Sequence, residues 1–224
     1  KGGPGTGRRH DAYVYIDGGT VEANSLAIGI GEADGPGFGR LYLSGGTVSA
    51  NDVILCVEAT GGWNGRAQVF LTGGTLAAGS IVQGNADPNA LREIWLTSGT
   101  LANKAGMDMT VTGKDIELYL DGNEFVSSID VAAGRTMTLD NTILGTGAAG
   151  KTGDGNLDLA ADTLQSGRLV VQQGTLNVNG DQSTASGAEL QIDSGTLALN
   201  ANAGTGTSLV FTGGGALDVN ADQT

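Results

Sequence analysis

Arg40-Leu41-Tyr42-Leu43-Ser44-Gly45-Gly46-Thr47-Val48 is the stretch from which the rest of the chain can be read. It alternates with a period of two, turns at a glycine pair, and restarts on a β-branched pair, the pattern of short strands joined at a tight corner. Glycine supplies the positive φ that such a corner needs. The phrase recurs as Ile16-Asp17-Gly18-Gly19-Thr20-Val21, Leu71-Thr72-Gly73-Gly74-Thr75-Leu76 and Leu96-Thr97-Ser98-Gly99-Thr100-Leu101. A drifted copy is Leu118-Tyr119-Leu120-Asp121-Gly122-Asn123. Successive copies are 27, 28, 25 and 24 residues apart. Val171-Gln172-Gln173-Gly174-Thr175-Leu176 and Ile192-Asp193-Ser194-Gly195-Thr196-Leu197 follow 21 residues apart, then a degenerate Phe211-Thr212-Gly213-Gly214-Gly215. Periods of 20–30 residues built from strands imply stacked coils.

The expected fold is all-β, a single right-handed parallel β-solenoid of about eight to ten coils. A Gly-rich lead covers residues 1–12, longer coils with loop insertions cover 13–125, and shorter coils cover 126–224. The insertions run from Gly29 to Gly39, Glu58 to Gly65 and Gly84 to Ala90, where solenoids place variation and binding. Within the longer coils Leu71 and Leu96 point inward. Glu22 and Asp193 point outward.

Composition removes several function classes. The 224 residues include 40 Gly but only 3 Pro, which fits neither collagen nor a proline-rich linker. The charge is −13, from 11 Lys and Arg against 24 Asp and Glu. Such a chain gains nothing from phosphate counterion release, so nucleic acid is not an expected partner. No apolar run is long enough for a membrane span. One Cys, Cys56, gives no internal disulfide, and one His, His10, leaves little for acid–base chemistry near neutral pH. No Ser-His-Asp, Cys-His or metal-ligand set can be assembled from them. Cys56 aligns with Gly29 and Gly84 and reads as a small residue at a strand end.

One column is not explained by a core. Between the inward positions stand Tyr15, Tyr42, Phe70, Trp95 and Tyr119, half of the ten aromatics in the chain. They face outward by alternation. In the later coils the same column reads Val170, Gln191 and Val210. At about 4.8 Å per coil the five rings form a stacked ladder. It is read as an interaction face, with a purely stabilising ladder and a sugar platform as the other readings. Asp154, Asn156 and Asp158 have the spacing of the start of a calcium loop, without the Gly and Glu that complete one. Asp121, Asn123 and Glu124 form a turn that is a second candidate cation site. Ca²⁺ is thus the sole cofactor considered.

Lys151-Thr152-Gly153-Asp154-Gly155-Asn156-Leu157-Asp158-Leu159, followed by Gly167-Arg168-Leu169-Val170-Val171 and Gly174-Thr175-Leu176-Asn177-Val178, resembles the autotransporter-associated β-strand repeat of large bacterial surface proteins. The resemblance covers about 30 residues and implies a right-handed β-helix exported to the cell surface. The expected role is a non-catalytic structural or adhesive module of an extracellular fibre, layer or matrix. It would assemble with itself, or with further segments of the same protein, through its ends and the aromatic ladder. A carbohydrate-binding β-helix is the alternative, and a polysaccharide-degrading enzyme a more distant one.

Overall fold

In a computed structural model, residues 10–30, 37–57, 65–85 and 87–222 are described. Residues 31–36 of the first insertion, Pro36 among them, residues 58–64 of the second and Ala86 of the third lie outside these residues, as do most of the lead and the His10 side chain. The strands begin with β1 (His10–Ile28), β2 (Gly37–Leu55), β3 (Arg66–Leu71), β4 (Thr75–Gln83), β5 (Leu91–Leu96) and β6 (Thr100–Asn103). They continue with β7 (Met109–Leu120), β8 (Ser128–Asp130), β9 (Thr136–Gly145), β10 (Ala148–Thr152), β11 (Asn156–Leu159) and β12 (Gly167–Val171). The last are β13 (Thr175–Val178), β14 (Ala188–Ile192), β15 (Thr196–Leu199), β16 (Thr207–Phe211) and β17 (Ala216–Val219). All 17 belong to one sheet, and every pairing is parallel. No described residue is helical. The chain is a parallel β-solenoid.

Each turn has three sides. The first runs through residues 10–16, 37–43, 66–71, 91–96, 116–120 and 142–145. Beyond these it survives only as a bridge from Ile143 to Leu164. The second and third sides each continue to the last strands, β16 and β17. Pairing on all three sides therefore spans about seven turns, fewer than the eight to ten expected. Two further rungs carry strands on two sides only. The repeat phrase does not show this loss, because the glycine corner persists after the first side has shrunk.

The same shrinkage moves the corner. In the early turns the Gly-Gly-Thr phrase joins the first side to the second, as at residues 44–46 between Leu43 and Thr47. In the later ones it joins the second to the third, as at residues 172–174 between Val171 and Thr175. Val170, Gln191 and Val210 consequently lie on the second side, in the row of Ser128 and Gly150. They do not extend the aromatic column, which passes from Tyr119 to Leu144.

Inward columns build the core. On the second side Val48, Leu76, Leu101, Ile129, Lys151, Val171 and Ile192 stack in register and are buried. Leu71 and Leu96 are wholly buried and Glu22 is exposed, as alternation requires. Asp193, expected outward, is half-buried because it sits at a corner beneath the next turn's glycines. At the corner between the first and second sides, Gly46 is a position that tolerates no side chain. Its φ is 72°, and an added Cβ would run into the Gly19 carbonyl oxygen of the preceding turn.

Candidate functional site: an outward aromatic ladder

Parallel pairing sets Tyr15, Tyr42, Phe70, Trp95 and Tyr119 on adjacent rungs, each directly opposite the next. The ring centroids lie 4.8, 4.7, 6.3 and 4.2 Å apart along the series. Interplanar angles are 7° for three of the pairs and 17° for Phe70–Trp95. The rings thus cover each other's faces and turn their edges to solvent. Tyr15, at the first rung, is 71% exposed, while the others are half-buried.

A polar row lies two residues upstream: Tyr13, Arg40, Gln68, Glu93 and Glu117. It is knitted along the axis. Arg40 donates through Nη1 to the Tyr13 hydroxyl at 3.0 Å and through Nε to Gln68 at 2.6 Å. Its guanidinium also sits 5.2 Å above the Tyr13 ring. Gln68 Nε2 donates to Glu93, whose carboxylate accepts from Trp95 Nε1 at 3.3 Å. The Tyr119 hydroxyl donates to Glu117 at 2.7 Å. Burial and that neighbouring carboxylate push the Tyr119 phenol above its ordinary range. The row carries its positive charge near the first rungs and its negative charge near the fourth and fifth.

The candidate cation ligands are dispersed. Asp121 is exposed at a corner, and its amide donates to the Leu96 carbonyl. Asn123 Oδ1 accepts the Phe125 amide at 3.0 Å, closing a turn. Glu124 is ion-paired to Arg168 at 2.8 Å. Asp154 accepts from Gln173 and Asp158 from Asn177, each at 2.6 Å, while Asn156 is exposed on the third side. Among the described residues no three His, Cys, Asp or Glu converge as a metal site would require.

Two inward cations escaped the sequence reading. Lys151 occupies the core column between Ile129 and Val171. It is wholly buried, with Nζ donating to the carbonyls of Thr152, Gly153 and Gln173 at 2.8, 2.7 and 3.0 Å. Arg92 stacks between Ala67 and Ile116 and is 1% exposed. Its guanidinium holds the third insertion through the carbonyls of Asn85, Asp87 and Ala90. Strict alternation was the available signal, since both residues share the parity of the apolar positions two residues away.

No helix among the described residues is long and apolar enough to cross a membrane. Comparison with family models, with curated proteins and with solved structures returns no match.

Proposed function

We propose that the chain is a non-catalytic structural or adhesive module of a bacterial extracellular fibre, layer or matrix that associates with itself or with further segments of the same protein. One observation carries this reading: a single parallel stack of 17 strands presents exposed apolar side chains at its first and last described rungs. Val14 and Val21, in columns buried at the next rungs, are 53% and 43% exposed. Leu209, Phe211 and Val219 at the last rungs are 39%, 55% and 55% exposed. At the first rung Val14, Ile16, Val21 and Leu26 line an apolar recess of about 400 Å³. An added rung covers these side chains and pairs the open strand edges. The likeness of residues 151–178 to the autotransporter-associated repeat supports the surface setting.

Glycan binding is the second reading, favoured by the open ring of Tyr15 beside the polar row. It is weaker because a sugar stacks on a ring face, and the other four rings present edges. Electron microscopy of the purified protein, with sedimentation at rising concentration, tests the first reading. Rods longer than one stack, shortened when Val14 and Val21 become Asp, are expected. Single-stack particles at high concentration, or release of reducing sugar from a polysaccharide panel, would overturn it.

A further inference from the structure

We infer that the ladder side is a self-complementary lateral interface, on which a second copy of this chain packs face to face with its axis reversed. The inference rests on the structural-module reading and adds a partner and a register. A two-fold axis along the strand direction, passing through the third rung, leaves each outward row facing its own counterpart and inverts the order of rungs. Phe70 then meets Phe70 of the partner copy, Tyr42 meets Trp95, and Tyr15 meets Tyr119.

The polar row decides in favour of this arrangement. With the same inversion Arg40 faces the partner copy's Glu93, Gln68 faces Gln68, and Tyr13 faces Glu117. Among the described residues Arg40 reaches only Gln68 and Tyr13. Glu93 accepts hydrogen bonds from Gln68 and Trp95. Among the described residues neither is ion-paired, and the axis supplies an opposite charge at both symmetric positions. A two-fold along the stack axis through the polar row would instead set Arg40 against Arg40 and Glu93 against Glu93, and one through the ladder would leave neither facing an opposite charge of this row. The outer rows form the rim. There Arg66 meets its own copy, Asp17 meets Asp121 and Asp11 meets Asp115, like-charge pairs whose exposed carboxylates are screened by salt.

Five rungs at about 4.8 Å and seven residues at about 3.3 Å make a patch of about 24 by 23 Å, on the order of 1,000 Å² for the pair. That is the low end of specific interfaces. The contact is accordingly weak in solution and strengthened when many copies are held together.

The test is a charge exchange read by sedimentation velocity, with circular dichroism as the check that each variant keeps its β signal. R40E alone and E93R alone should each weaken self-association at least tenfold. An equimolar mixture should restore it, because every facing pair is then of opposite sign, and the R40E/E93R double variant should restore it too. Single variants that associate like the parent, a mixture that stays monomeric, or a parent that stays monomeric at high concentration would each overturn the lateral interface. Axial stacking does not involve Arg40 or Glu93. Rods that persist in the single variants therefore leave the structural-module reading standing while removing this one.

Discussion

The Lys151 ammonium donates 3.0 Å to the carbonyl of Gln173, one rung further along the stack. Its other two donors end on the Thr152 and Gly153 carbonyls, so a charged side chain closes a corner from inside the core. Burying an ammonium disfavours its charged form even when every donor is paired. Burial lowers its pKa from 10.5 to about 8, against an opposing pull from Asp130 and Asp154. The folded-state value lies below the unfolded one, so between about 8 and 10.5 the unfolded chain binds more protons. The contribution of Lys151 to stability is therefore expected to rise with pH through that window. Urea unfolding of the parent and of Lys151→Met at several pH values isolates it. Equal pH slopes in the two proteins would show that Lys151 does not titrate there.

Glycine corners differ in what they tolerate. Gly46→Ala places a Cβ at φ 72° against the Gly19 carbonyl, and is expected to cost about 3 kcal/mol or more, from left-handed strain plus displacement of the neighbouring turn. A Cβ at Gly18 meets nothing within 4 Å, so Gly18→Ala should stay within about 0.5 kcal/mol. Thermal unfolding of the two variants measures the contrast. Similar losses at both sites would contradict the stacking of the second corner on the first.

The inward columns make a quantitative expectation. Leu71→Ala or Leu96→Ala removes a wholly buried side chain packed by rungs on both sides, and should cost about 2–5 kcal/mol. Glu22→Ala, at an exposed position, should cost under about 0.5 kcal/mol. Denaturant midpoints at unchanged m-value are the readout.

These positions show how far the sequence could be read. Alternation around each glycine pair placed Leu71 and Leu96 inside and the five rings outside, because period two leaves a strand residue only two directions. The rungs then had to bring the rings within stacking distance. What failed was the assignment of corners. Val170 precedes a Gly-Thr phrase as Tyr42 does, yet lies on another side, since local turn chemistry does not record which side of the coil a strand occupies. Lys151 and Arg92 were missed because charge normally outweighs parity as a guide to burial. Here backbone carbonyls at the corners supply the partners that make both buried cations tolerable, and those carbonyls carry no side-chain signature. Asp154, Asn156 and Asp158 are separated locally: Asp154 lies in the corner before β11 while Asn156 and Asp158 lie on it, and each carboxylate accepts from a side-chain amide of the next rung.

The single thiol reports on the opening of the stack. Cys56 is wholly buried where the second turn leaves its third side, and its Sγ donates to the Leu91 carbonyl at 3.2 Å. Its φ of 59° matches the 75° of Gly29 one turn earlier, so the position is a corner first and a cysteine second. Burial raises its pKa from 9.0 to about 11, with Arg92 opposing. The thiolate is the reactive form. At pH 8 in the absence of denaturant, alkylation should therefore run at least about a hundredfold slower than in urea, paced by opening of the corner. The stability linkage has the opposite sign to that of Lys151. The native state keeps the thiol proton to higher pH than the unfolded chain, so Cys56 withdraws stability as pH rises from 9 to about 11. Cys56→Ala should abolish that loss while leaving the Lys151 gain in place. Labelling at the same rate with and without denaturant would mean that the corner is open, and would remove the basis for both expectations at this residue.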